Sequence, residues 1–150
     1  MNTTFSTDST VNTTPLKIDS ALSAQVQVVG DSLRAKGWSV SCAESCTGGG
    51  VAFAFTSVSG SSDWFNQSWI TYSNDAKKRT LGVSEQTLQE FGAVSKQTVK
   101  EMAEGVRRNS GAQLVVTVSG IAGPGGGSEE KPVGTVWFGF MCGAMPEQIK

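Results

Sequence analysis

Leu22, Val26, Val29 and Leu33 recur at spacings of four, three and four, which places them on one face of a helix. Ser20 stands where an N-cap belongs, and Gly37 stands where the helix should end. Trp38, Val40 and Cys42 then alternate with Ser39 and Ser41, the pattern of a short strand. After Gly48-Gly49-Gly50 a small apolar stretch runs to Phe55 and reads as a second helix, and residues 57–63 are Ser/Gly turn material. Ser68 to Tyr72 reads as a strand. Asp75 to Leu81 reads as a short helix capped by Ser73 and closed by Gly82. Ser84 caps another, running to about Phe91. Ser95 opens a longer one with Val99, Met102, Ala103 and Val106 on its buried face. Leu114 to Val118 is a continuous apolar run, as in a strand covered on both faces. A glycine-rich loop from Gly120 to Ser128 leads to a last strand, Val133 to Met141. The alternation of helix and strand predicts a three-layer α/β domain.

Composition narrows what such a domain can be. Residues 1–19 are mostly small and polar and read as a mobile tail. The remainder, 20–150, suits one domain with a real core. A formal net charge of −1 gives no basic footprint for nucleic acid, yet leaves room for a local site that takes an anionic small molecule. No apolar run is long enough to span a membrane, and the first residues lack the basic and apolar regions of a secretory signal. Three cysteines and no histidine argue against a disulfide framework and against zinc. The expectation is a protein of the reducing cytoplasm with no metal. The absence of histidine also means that any hydrolytic base must be Lys, Glu, Asp or Tyr.

Three predicted strands end in polar or small residues, at Ser45, Tyr72 and Ser119. If the strands of Ser45 and Ser119 run parallel, their ends share the sheet edge where open α/β folds bind ligands. The direction of the Tyr72 strand is open at this stage. At the first end, Glu44-Ser45-Cys46-Thr47-Gly48-Gly49 joins a strand to a helix. N–H groups at a helix start can hold an oxyanion or a phosphate; Ser45 as a plain helix cap is the other reading. At the second, Tyr72 is the only tyrosine and Lys77 begins a helix beside Lys78 and Arg79. Lys77 is either part of an exposed basic helix end or a buried amine that takes a proton from Ser45. At the third, Ser119 to Gly127 could form an anion nest or a flexible connection; it lacks the lysine of a phosphate-binding P-loop. Cys46 rivals Ser45 as a nucleophile by its place at a helix start, whereas Cys42 falls on the apolar phase of its strand.

At these segments the chain resembles the CinA C-terminal domain family. The matching stretches are Ala43-Glu44-Ser45-Cys46-Thr47-Gly48-Gly49, then Tyr72-Ser73-Asn74 with Ala76-Lys77 and Leu81-Gly82-Val83, then Gly92-Ala93-Val94-Ser95, then Gly120 to Gly127 and Lys131 to Val136. They occur in family order over about residues 20–140. The resemblance implies a three-layer αβα fold with a mixed sheet. It implies a nicotinamide-nucleotide amidase that releases ammonia, leaves nicotinate mononucleotide, serves pyridine nucleotide recycling, and needs no cofactor. Ser45 is then the nucleophile and Lys77 the base, with Tyr72 lining the site and orienting the pair. Glu44, Thr47, Gly48 and Gly49 belong to the nucleophile turn and the substrate site. Ser119, Gly120, Gly123 and Gly125 contact the substrate.

The chain departs from the family pattern in carrying Ser119 where Thr is usual. It also stops at Lys150, before a further strand and helix that hold an Arg suited to the substrate phosphate, so a truncated domain is expected. A non-catalytic nucleotide-binding or regulatory module is the alternative. The expected partner is a small-molecule nucleotide, with neither nucleic acid nor membrane. Trp64, Phe65 and Trp69 read either as core or as a contact in a homo-oligomer such as a dimer.

Overall fold

The computed structural model describes residues 17–143. Most of the expected tail 1–19 and the chain end from 144 lie outside the described residues. Helix α1 (Ser20–Lys36) leads to strand β1 (Val40–Glu44) and helix α2 (Gly50–Thr56). A 3₁₀ turn (Ser61–Asp63) precedes strand β2 (Phe65–Ile70). Helices α3 (Asn74–Leu81), α4 (Glu85–Phe91) and α5 (Lys96–Ser110) follow, then strands β3 (Leu114–Gly120) and β4 (Val136–Cys142). The sheet order is β2-β1-β3-β4. β1 is parallel to both neighbours, and β4 is antiparallel to β3. The three-layer α/β reading with a mixed sheet therefore holds, and the Tyr72 strand runs parallel to the other two.

Two apolar clusters, one on each face of the sheet, make the layers. On one side Val26 and Leu33 of α1 pack with Val40, Val58 and Trp64. On the other, Leu81, Leu88, Met102, Ala103 and Val106 pack on Ala43 and Val115. Burial of such side chains contributes about 1.5–3 kcal/mol each.

Several local expectations shift, each for a physical reason. The cap of α1 is Asp19 rather than Ser20; its carboxylate accepts from the Leu22 N–H at 2.9 Å. The buried face of α1 runs through Val26, Gly30 and Leu33, with Leu22 and Val29 partly out. Gly30 lies against Trp64, where a Cβ would fall 2.7 Å from the indole, so the bulky ring rotates the helix toward the small residue. In β1 both faces are buried, Ser41 included, because helices cover the strand on each side. β2 begins and ends earlier than Ser68–Tyr72. Phe65 already pairs with Val40, and Ile70 pairs with Glu44 at the end of β1. Thr71 still donates its N–H to the Glu44 carbonyl at 2.8 Å, and Tyr72 lies past the paired residues. β4 begins at Val136 rather than Val133. Gly134 has a positive φ of 92°, and the Thr135 N–H closes a turn onto the Pro132 carbonyl at 3.0 Å. Trp64 is core, while Trp69 packs partly buried against the opposite cluster.

Candidate active site

The carboxyl ends of β1, β2 and β3 meet at one edge of the sheet, as parallel pairing requires. Ser45 follows β1 directly, and its N–H still bonds to Val118 of β3 at 3.0 Å. The chain then turns sharply. Gly48 N–H bonds back to the Ser45 carbonyl at 3.1 Å, and Gly48 and Gly49 take φ values of 57° and 106°. Side chains rarely adopt such values, so glycine at both positions is what lets the strand double back into α2.

Glu44 organises that turn from beneath. Its side chain is 0% exposed, yet both carboxylate oxygens are engaged. Oε2 accepts from Thr47 Oγ1 at 2.6 Å, Gly49 N at 3.1 Å and Val51 N at 3.0 Å. Oε1 accepts from Ala52 N at 2.9 Å. The expectation that α2 offers free N–H groups is thus corrected, since Glu44 takes them. Gly50 N–H is held by the Thr47 carbonyl. Among the described residues the N–H groups of Cys46 and Thr47 have no carbonyl partner, and both bond to the Cys46 sulfur.

Lys77 arrives from the other side of the chain. Ser73 caps α3 by accepting from Ala76 N at 3.1 Å, which puts Lys77 in the first turn, pointing at the sheet edge. Gly105 of α5 permits the necessary closeness: a Cβ there would fall 2.1 Å from the Leu81 carbonyl oxygen. Lys77 Nζ lies 3.0 Å from Ser45 Oγ, 2.9 Å from the Thr71 carbonyl oxygen and 3.3 Å from that of Tyr72. Lys77 is 1% exposed and Ser45 7%. Burial pushes the Lys77 amine below its ordinary range, against a smaller opposing effect of the nearby Cys46 thiol. A neutral amine has two hydrogens and one lone pair. The two carbonyls can only accept, so they take the hydrogens, and the lone pair is left for the Ser45 O–H.

The other residues singled out in the sequence fall in different places. Tyr72 is 68% exposed, and its contact with the amine is made by its main-chain carbonyl. Glu44 lies behind the turn and not on its surface. Thr47 is exposed, with its hydroxyl turned to Glu44. Ser119 is buried and donates to the Ala93 carbonyl at 2.8 Å, tying the loop before α5 to β3. Gly120 packs against Cys46, whose sulfur would be 3.0 Å from a Cβ there. Gly123 has a φ of 78° and lies against Val133, whereas Gly125 sits in open space. Cys46 is half-buried beside the pair, and burial raises its thiol pKa despite its own and the Thr47 N–H groups and the Lys77 charge. Cys42 is core, pushed up to about 12 mainly by burial. Thr71 was missed. It acts through a carbonyl, which every residue has, so no sequence signal marks it.

Among the described residues no helix is long and apolar enough to cross a membrane. The chain is 63% identical over 112 residues to nicotinamide-nucleotide amidohydrolase PncC of Enterobacter agglomerans, covering 75% of this chain and 68% of that protein. It is 54% identical over 122 residues to the protein of the same name from Escherichia coli strain K12, covering 81% and 74%. The fold matches the crystal structure of competence/damage inducible protein CihA from Agrobacterium tumefaciens, with a TM-score of 0.81 and 45% identity over 85% of this chain and 76% of that one. The family model described as CinA C-terminal domain matches residues 22–149, a span that takes in the turn, the buried amine and the glycine loop alike. By sequence, by fold and by the segments that build its site, the chain belongs to the CinA C-terminal domain family.

Proposed function

We propose that this protein is an amidohydrolase that converts nicotinamide mononucleotide to nicotinate mononucleotide and ammonia, with Ser45 as nucleophile and Lys77 as base. The observation that carries the mechanism is the 3.0 Å contact between Ser45 Oγ and Lys77 Nζ in a buried site. The names of the two amidohydrolase relatives support the substrate. Ser45 Oγ attacks the carboxamide carbon as Lys77 takes its proton, a route to an activated hydroxyl that needs no histidine. The N–H groups of Cys46 and Thr47 receive the oxyanion of the tetrahedral intermediate. The Lys77 ammonium returns its proton to the departing ammonia, held meanwhile by the Thr71 and Tyr72 carbonyls. Water, deprotonated by Lys77, then cleaves the nicotinoyl ester on Ser45 and frees the acid.

Ammonia release from nicotinamide mononucleotide by wild type and by Ser45→Ala tests the reading. Wild type should turn over, and the variant should lose about 10⁴-fold or more in kcat. A folded wild type that releases no ammonia would favour the non-catalytic module.

A further inference from the structure

We infer that Glu44 is a positioning residue for the reaction, a buried clamp that sets nucleophile and base at once; this rests on the amidohydrolase reading above. Its side chain and its main chain serve different arms of the pair. The carboxylate gathers four N–H and O–H donors from Thr47, Gly49, Val51 and Ala52, with the Cys42 thiol a long fifth contact at 3.9 Å, and the four fix the turn that presents Ser45. The carbonyl of the same residue accepts from Thr71 N at 2.8 Å, and the Thr71 carbonyl in turn accepts from Lys77 Nζ at 2.9 Å. One residue is thus bonded in sequence to Ser45 and joined to Lys77 through Thr71, two hydrogen bonds away.

The placement excludes other roles. Glu44 has no exposed surface, so it meets neither substrate nor water. Both oxygens are committed to donors, so it is not poised to shuttle a proton. A carboxylate buried without a cationic partner is tolerated only when its oxygens are satisfied by hydrogen bonds; four donors from one turn meet that need. Those bonds also decide which N–H groups stay available to a ligand. With the start of α2 consumed, the Cys46 and Thr47 N–H groups, which lie on the Cys46 sulfur, are the donors that a tetrahedral oxyanion would recruit from that sulfur, and their direction depends on the turn that Glu44 holds. Preorganised donors stabilise a transition state only while they stay aimed, and a misplacement of about 1 Å can cost about 100-fold in rate.

The test compares Glu44→Gln, Thr47→Val and Thr47→Ser with wild type on the full chain. Readouts are kcat and KM for ammonia release, the rate of Ser45 labelling by a fluorophosphonate, and cooperative unfolding as a control. Glu44→Gln keeps the shape but turns an amide N–H₂ toward a backbone donor. It should lower kcat and the labelling rate by about 100-fold while KM stays within about threefold. Thr47→Val removes one of the four bonds at an exposed position and should lower both rates by about tenfold. Thr47→Ser should restore them to within about twofold, since it keeps the O–H. A folded Glu44→Gln that reacts as fast as wild type, or one whose defect lies in KM, overturns the clamp. Should Glu44→Gln not fold, unchanged rates in Thr47→Val overturn it instead. Wild type that labels at Ser45 but releases no ammonia removes the amide reading and leaves the clamp to be judged on labelling. Wild type that does neither overturns both.

Discussion

The turn after β1 and the loop after β3 are both glycine-rich, and both follow a parallel strand to the same edge of the sheet, yet they are built differently. The first is held from beneath by Glu44, and two of its glycines carry positive φ values. The second is anchored at its ends, where Ile121 and Gly134 bond across at 2.9 Å and Ser128 meets Lys131 at 2.9 Å, while a Cβ at Gly125 between them would meet nothing within 4 Å. Glycine therefore means two things in one chain. In the turn it supplies a backbone geometry that a buried carboxylate then locks. In the loop Gly123 and Gly126 also take positive φ values, 78° and 84°, but on a span pinned at its ends by main-chain bonds, with Gly125 in open space between them. Fixed donors belong to the first kind of structure, and that is where the serine and the amine meet.

If the chemistry belongs to the locked turn, the largest loss should come from the amine that faces it. Lys77→Met should lower kcat by about 10⁴-fold, measured by ammonia release. The same group sets the pH response. A base works only when unprotonated, and burial lowers the Lys77 pKa from its ordinary 10.5. Activity should therefore be present above that lowered pKa and fall away as pH drops through it. An acidic limb of kcat/KM lying at or above the ordinary lysine range would break the assignment.

A smaller effect distinguishes the two kinds of glycine directly. Gly48→Ala and Gly49→Ala force a side chain onto positive φ and should each lower unfolding free energy by about 1–2 kcal/mol. Gly125→Ala, in open space, should change it by less than about 0.5 kcal/mol. Equal destabilisation in denaturant titrations would erase the contrast. The smallest effect should follow Cys46→Ala, because burial raises that thiol's pKa and makes it a poor nucleophile. A kcat within about tenfold of wild type is expected, well short of the loss in Ser45→Ala. An equal loss in the two would move the nucleophile one residue along.

Much of this was legible beforehand where the signal is local. Ser73, Ser84 and Ser95 stand at cap positions in the sequence, and each accepts the N–H bond its position requires. Gly37 and Gly82 end their helices in the left-handed region. The apolar run of β3 and the buried face of α5 follow from periodicity alone. What failed depends on partners distant in sequence. The limits of β2 are set by the length of β1, and the tilt of α1 by the Trp64 ring beside Gly30. At the site, the serine and the lysine were nameable because their side chains carry chemistry. For Tyr72, expected to line the site and orient the pair, the contact with Lys77 is made by its carbonyl, which no sequence marks, and its ring stands exposed. Glu44 was placed in the correct segment, but its burial and its four donors are tertiary facts.

The near-contact of Gly105 with the end of α3 reaches further than packing. α3 is a short lever with the reactive amine near one end and its fulcrum at the other, resting on a helix that contributes no chemistry of its own. Thickening that fulcrum by a single methyl group would tilt the lever and swing the amine away from the hydroxyl. The 3.0 Å separation of Lys77 and Ser45 is thus gauged by a missing side chain on a neighbouring helix.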